Sequence, residues 1–112
     1  MKPVIKHLQI TRGDTTAIGI TVRGLDGAPM ELYFSVKRSY NDKNYIIQKT
    51  LEDGITDSGD NRYVVKLESE DTETMVFGKY VYDFEITVNN SRKTLLRGDF
   101  IVDPDVTRHL EV

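Results

Sequence analysis

The sequence contains no cysteine and no tryptophan. Without cysteine there is no disulfide framework, no thiolate zinc site and no thiol nucleophile. A small extracellular domain ordinarily leans on disulfides, so assembly in a reducing cytoplasm is the expectation. A basic excess is missing as well: 18 acidic residues against 15 basic ones give a net charge of -3. Phosphate backbones are held by a positive field, so nucleic acid is not an expected partner of this mildly acidic chain. No apolar run approaches the ~20 residues that cross a bilayer. The start, MKPVIKHLQI, has no apolar signal core. Neither a membrane nor export by a cleaved leader is expected. Proline is sparse, and Pro3, Pro29 and Pro104 all fall outside the strand-like runs, as ladder hydrogen bonding requires.

What is present suits an ordinary globular chain: 112 residues, 38% hydrophobic and 29% charged. That length fits one domain over residues 1–112 with a core of its own. Phe77–Val88, FGKYVYDFEITV, is the clearest segment. Tyr80, Tyr82, Phe84, Ile86 and Val88 share one face, and Val81, Asp83, Glu85 and Thr87 share the other. A period of two with one apolar face is a half-buried strand. Similar runs are Val4–Ile10, Thr16–Arg23, Glu31–Arg38, Tyr45–Leu51, Arg62–Leu67 and Lys93–Val102, making seven strands with Lys79–Val88. In Glu31–Arg38, Leu32, Phe34 and Val36 oppose Tyr33, Ser35 and Lys37. In Tyr45–Leu51, Tyr45, Ile47 and Leu51 share a face. Turn chemistry separates the runs at Arg12–Asp14, Asp26–Pro29, Asp53-Gly54, Asp57–Asn61 and Asn89–Ser91. The last of these predicts a tight hairpin.

Ser69–Val76 reads as one helical turn, with Ser69 the expected N-cap and Glu70 and Asp71 at the positive end of the helix dipole. This turn precedes the sixth strand, which opens Gly78-x-Tyr80-x-Tyr82. An immunoglobulin fold carries a tyrosine corner at that place, at the start of its strand F. Tyr80 would be the corner, and Tyr82 would fill the slot of the missing core cysteine. The fold class expected is therefore all-β: an Ig-like antiparallel sandwich of about seven strands with one short helical turn before strand F.

Chemistry is scarce. Arg-Gly-Asp occurs at Arg12–Asp14 and again at Arg97–Asp99. An exposed loop could present such a tripeptide to an integrin, but structural roles explain both occurrences better. Gly13 and Asp14 suit a bend, and Gly98 inside the last strand suits a bulge. Asp53, Asp57, Asp60 and Asp71 lack the ligand spacing of an EF-hand and read as turn residues. His7 and His109 form no metal-binding pair. No nucleophile elbow, P-loop or dinucleotide motif is present. No catalytic residue, metal ligand or cofactor is assigned, and the chain is not expected to be an enzyme. Ser39–Tyr45 is the one loop with binding character. Tyr40, Asn41, Asn44 and Tyr45 combine rigid amphipathic rings with adaptable hydrogen-bonding groups, as paratopes do, and exposed rings also stack on sugars.

Several motifs in order carry a family resemblance. They are Arg12-Gly13-Asp14-Thr15, Asp26-Gly27-Ala28-Pro29, Ser69-Glu70-Asp71-Thr72 and Gly78-Lys79-Tyr80-Val81-Tyr82-Asp83, followed by Leu96–Val102 and Asp103-Pro104-Asp105-Val106-Thr107. Together they resemble small Ig-like proteins of phages and prophages, and are similar to the N-terminal domain of the baseplate upper protein family of tailed phages. Proteins of that family are longer and carry further domains after this one. The resemblance implies a structural or docking role in a tail or baseplate. Its partners would be other tail proteins or further copies of the chain, and its location the virion, assembled in the bacterial host cytoplasm. It implies no catalytic residue and no cofactor. The alternative expectation is a carbohydrate-binding or adhesion module using Tyr40 and Tyr45.

Overall fold

The computed structural model describes residues 3–24, 27, 29 and 31–105. Its strands are β1 (Val4–Ile5), β2 (Leu8–Thr11), β3 (Thr16–Thr21), β4 (Glu31–Lys37), β5 (Ile47–Leu51), β6 (Gly54–Gly59), β7 (Arg62–Leu67), β8 (Gly78–Val88) and β9 (Ser91–Asp103). One helical turn, α1 (Ser69–Thr72), precedes β8. Pairing runs in the order β1-β9-β8-β4-β5-β6-β7-β3, with β2 also on β9. The path folds over between β5 and β6, where Glu52 takes a positive φ of 69° and only Thr50–Gly54 and Leu51–Ile55 pair. The front sheet is β5-β4-β8-β9 with β1 and β2 on its edge. The back sheet is β6-β7-β3. This is an Ig-like β-sandwich.

Alternation builds the core between the layers. Tyr80, Tyr82, Phe84 and Ile86 from β8 are buried against Leu32, Phe34 and Val36 of β4 and against Tyr63, Val65 and Leu67 of β7. The Phe34 ring meets Tyr82 at 5.5 Å and Phe100 at 6.4 Å. Asn89 and Asn90, at φ of 50° and 65°, close the β8–β9 hairpin between the paired Val88 and Ser91. Two positive φ angles in a two-residue loop make a type I′ turn, whose twist matches the flanking strands.

Several expectations are corrected. The first strand is two pieces, and both pair with β9 in parallel rather than antiparallel. Gly54–Gly59 is a strand, although Asp53-Gly54 and Asp57–Asn61 suggested only turns. The turn proper is Asp60-Asn61, both at positive φ. The helix cap is Glu68, not Ser69. Asp71 accepts the Glu68 N–H at 2.7 Å while Glu68 caps in return. A longer carboxylate at position 68 closes this reciprocal box, and Asp71 also pairs with Lys49 at 2.8 Å. Gly98 is not in a bulge. The register slips instead beside Glu85, between the pairs Phe84–Leu96 and Glu85–Thr94. Of the Asp26–Pro29 turn, Gly27 is described, with φ of 125°, and so is Pro29, whereas Asp26 and Ala28 lie outside the described residues. His109 and Val106-Thr107 lie outside them too.

Candidate binding face

The same alternation that buries one side of the front sheet turns Tyr33, Ser35 and Lys37 of β4 outward, together with Val81, Asp83, Glu85 and Thr87 of β8. Register sets them in rows. Lys37 lies opposite Val81, which lies opposite Asp99; Gln48, Ser35, Asp83 and Arg97 form the next row; Tyr33 and Glu85 the next; Glu31, Thr87 and Arg92 the last. This outer face lines a concavity of about 740 Å³, with Tyr40 and Tyr45 among its walls beside Lys37 and with Asn90 among them beside Arg92.

The face is polar and balanced in charge. Tyr33 donates its hydroxyl proton to Glu31 at 2.8 Å, and that hydrogen bond to a carboxylate holds the phenol above its ordinary pKa. Gln48 donates to Ser35 at 3.3 Å. Arg92 Nε stands 4.0 Å from Glu85. Asp83 is half-buried, and burial raises its carboxyl pKa against the opposing pull of Lys37. Asp83 and Glu85 project side by side from one strand, so they do not face each other across a bond as a glycosidase pair must.

The Ser39–Tyr45 loop stands at one end of this face. Its entry and exit are tied by the Ile46 N–H donating to Val36 at 2.8 Å. Lys37 braces it, donating to the Asp42 carbonyl at 2.8 Å with its ammonium 5.0 Å from the Tyr45 ring centroid. Tyr40 is 60% exposed and Tyr45 51%. Tyr45 is thus outside β5 and turned to solvent, not inward as the strand pattern suggested. Asn41 and Asn44 are exposed but line no part of the concavity. Ile46, 44% exposed, extends the apolar tip. Neither Ile46 nor Gln48 was singled out from the sequence. Alternation about the buried Ile47 puts both on the outer side.

The residues given structural roles are distributed around the framework. Tyr80 is buried and donates to the Val76 carbonyl at 2.7 Å, the geometry that a tyrosine corner needs. Tyr82 is 2% exposed and donates to the Lys6 carbonyl at 2.6 Å; burial first, and the nearby Tyr40 second, push its pKa up to about 12. A β-carbon on Gly98 would sit 2.3 Å from the Lys6 oxygen. Gly98 therefore admits the crossing between β1 and β2 rather than bending β9. Gly13 reverses the chain at φ +82° and donates its N–H to Thr72 at 2.8 Å.

Each Arg-Gly-Asp tripeptide has one charged residue engaged within the fold. Arg12 pairs with Asp105 at 2.9 Å and stacks 4.2 Å above the Phe77 ring. The Asp99 N–H donates to His7 Nδ1 at 3.0 Å, and the Asp99 carboxylate stands 3.9 Å from Lys79. Of the turn aspartates, Asp57 accepts the Gly59 N–H at 2.8 Å and Asp71 accepts the Glu68 N–H. Among the described residues, no group of three or more His, Asp or Glu side chains is placed to hold a metal ion, and no helix is long and apolar enough to cross a membrane.

No known protein family and no curated protein sequence matches the chain. Solved structures match the fold. The extracellular domain of the voltage-gated sodium channel β4 subunit, described as a parallel homodimer with a role in cell–cell adhesion, is 15% identical. It has a TM-score of 0.52, with 95% of this chain and 97% of that one covered. The NK cell receptor Nkp44 is 15% identical with a TM-score of 0.53, covering 92% of this chain and 100% of that one. A Bacteroides vulgatus protein provisionally described as a glycoside hydrolase is 19% identical with a TM-score of 0.49; this chain spans 16% of its length and is itself covered over 88%. Identities this low speak to the fold alone.

Proposed function

We propose that the chain is a non-enzymatic docking module that binds partner proteins through the outer face of its front sheet and the Tyr40–Ile46 tip, and that these partners are proteins of a phage or prophage tail. The observation that carries this reading is the apolar tip, Tyr40, Tyr45 and Ile46, raised beside a broad polar face of both charge signs. Rigid aromatic anchors rimmed by adaptable polar groups are how protein interfaces concentrate binding energy. An exposed isoleucine next to the tyrosines favours a protein partner, since an aliphatic side chain has no ring to stack on a sugar. The motif order from Arg12 to Thr107 supports the tail setting, with assembly in the host cytoplasm and final residence in the virion.

Glycan binding remains as the second reading, because Tyr40, Tyr45 and Gln48 line one concavity. Two measurements separate the readings. Mass spectrometry of purified tail particles should find the chain alongside the other tail proteins, and a glycan array should stay blank. Consistent absence from particles, with array signals lost in Tyr40→Ala and Tyr45→Ala, would reverse the assignment.

A further inference from the structure

Sheet edges are normally guarded by charge, proline, bulges or brevity, because an open edge recruits another strand. On the front sheet, β1 and β2 are short and interrupted at Lys6-His7, and β5 carries Lys49. The back sheet ends differently. Strand β3, Thr16-Ala17-Ile18-Gly19-Ile20-Thr21, pairs with β7 in an unbroken register from Thr16–Leu67 to Thr21–Arg62. Among the described residues no strand takes its other edge. It contains no charge, no proline and no bulge.

The phase of the open groups follows from one bond. The Val22 N–H donates to the Asn61 carbonyl, on the β7 side, at 2.8 Å. Backbone groups alternate sides along a strand. Thr16, Ile18 and Ile20 therefore turn their N–H and C=O groups toward β7, and Ala17, Gly19 and Thr21 turn theirs to the open edge. The same residues are exposed and small, and no heavy atom outside its chain neighbours lies within 4 Å of a β-carbon built on Gly19. Nothing bulky obstructs an approaching strand.

We infer that this edge pairs with a second copy of the chain, β3 against β3 in antiparallel orientation about a two-fold axis at Gly19. Gly19 then lies opposite Gly19 of the second copy, and Ala17 opposite Thr21. Every outward group of these residues finds a partner, giving about six ladder hydrogen bonds. Side chains stay on their own faces, since the residues brought opposite one another share parity. The neutral strand brings no like charges together. At each end Asp14 of one copy comes beside Arg23 of the other; both are exposed, and neither is in an ion pair among the described residues. Self-complementarity about a dyad is what an isologous dimer requires and favours a second copy over an unrelated strand. The result is one continuous back sheet across two protomers, with both front faces left free for partners.

The test uses the absence of native cysteine. The wild-type chain should dimerise reversibly with concentration in sedimentation velocity. Gly19→Cys should give a covalent dimer on mild oxidation, whereas Lys93→Cys, on the front-sheet hairpin, should dimerise reversibly like the wild type but form no covalent dimer. Gly19→Lys sets two ammonium groups at the dyad and should weaken dimerisation at least tenfold with an unchanged circular dichroism spectrum; Thr21→Lys, opposite Ala17 of the second copy, puts a charge on the open edge at each end of the ladder, should also weaken dimerisation and serves if Gly19→Lys fails to fold. A wild-type chain that is monomeric at every concentration would overturn the inference. So would cross-linking that is equal from Lys93→Cys, or a folded lysine variant that dimerises like the wild type.

Discussion

Tyr80 and Tyr82 lie two residues apart on one face of β8, and their hydroxyls tie the sheet to different stretches of backbone. Tyr80 fixes the chain leaving α1 through Val76; Tyr82 fixes the β1–β2 crossing through Lys6. Tyr80→Phe keeps the ring and removes one hydrogen bond, so it should cost about 1 kcal/mol in urea unfolding. Gly98→Ala should cost more, about 1–3 kcal/mol, because the added methyl meets a backbone oxygen rather than a flexible side chain. Asp83 is a group whose ionised form the fold disfavours, through burial that Lys37 only partly offsets. The folded protein therefore holds that proton more tightly than the unfolded chain, and stability falls as pH rises from the ordinary carboxylate pKa through the raised one. Asp83→Asn should be more stable than wild type at neutral pH and no more stable below the carboxylate range. Equal stabilities at both ends of a pH series of thermal melts would refute that assignment.

Whole elements were legible where alternation was strong and obscure where polar turn residues filled a strand. FGKYVYDFEITV announces β8 because its inward and outward residues separate cleanly, and the Asn-rich pair announces the hairpin after it. Strand β6, GITDSG, reads as a turn because Asp, Ser and Gly dominate it. Its strand character comes from pairing with β7, a tertiary fact that no local pattern carries. The parallel placement of β1 and β2 is likewise set by where the chain can cross Gly98. The Ser39–Tyr45 loop stands out by composition, but its position beside the outward rows depends on register between β4, β5 and β8. The hairpin gives a test at this scale. Asn90 holds φ of 65°, which a β-branched residue resists, so Asn90→Val should destabilise by about 1–2 kcal/mol by chemical denaturation. Asn90→Gly should be tolerated.

At the scale of the molecule, the sandwich divides its surfaces. The interior is apolar and closed by tyrosine hydroxyls bound to backbone. The front face is polar, concave and flanked by the Tyr40–Ile46 tip, and the back sheet ends in an unguarded neutral strand. The front-face carboxylates stand on three strands, Glu31 on β4, Asp83 and Glu85 on β8 and Asp99 on β9, while Asp57 serves a turn and Asp71 a cap. The proposed docking function uses what the fold exposes. Its most direct test is site-specific photocrosslinking within assembled tail particles. A photoreactive phenylalanine analogue at Tyr45 should link the chain to a different tail protein, while the same label at Thr56 on the back sheet should not. Particles that lack the chain, or equal crosslinking from both positions, would contradict the front-face docking account.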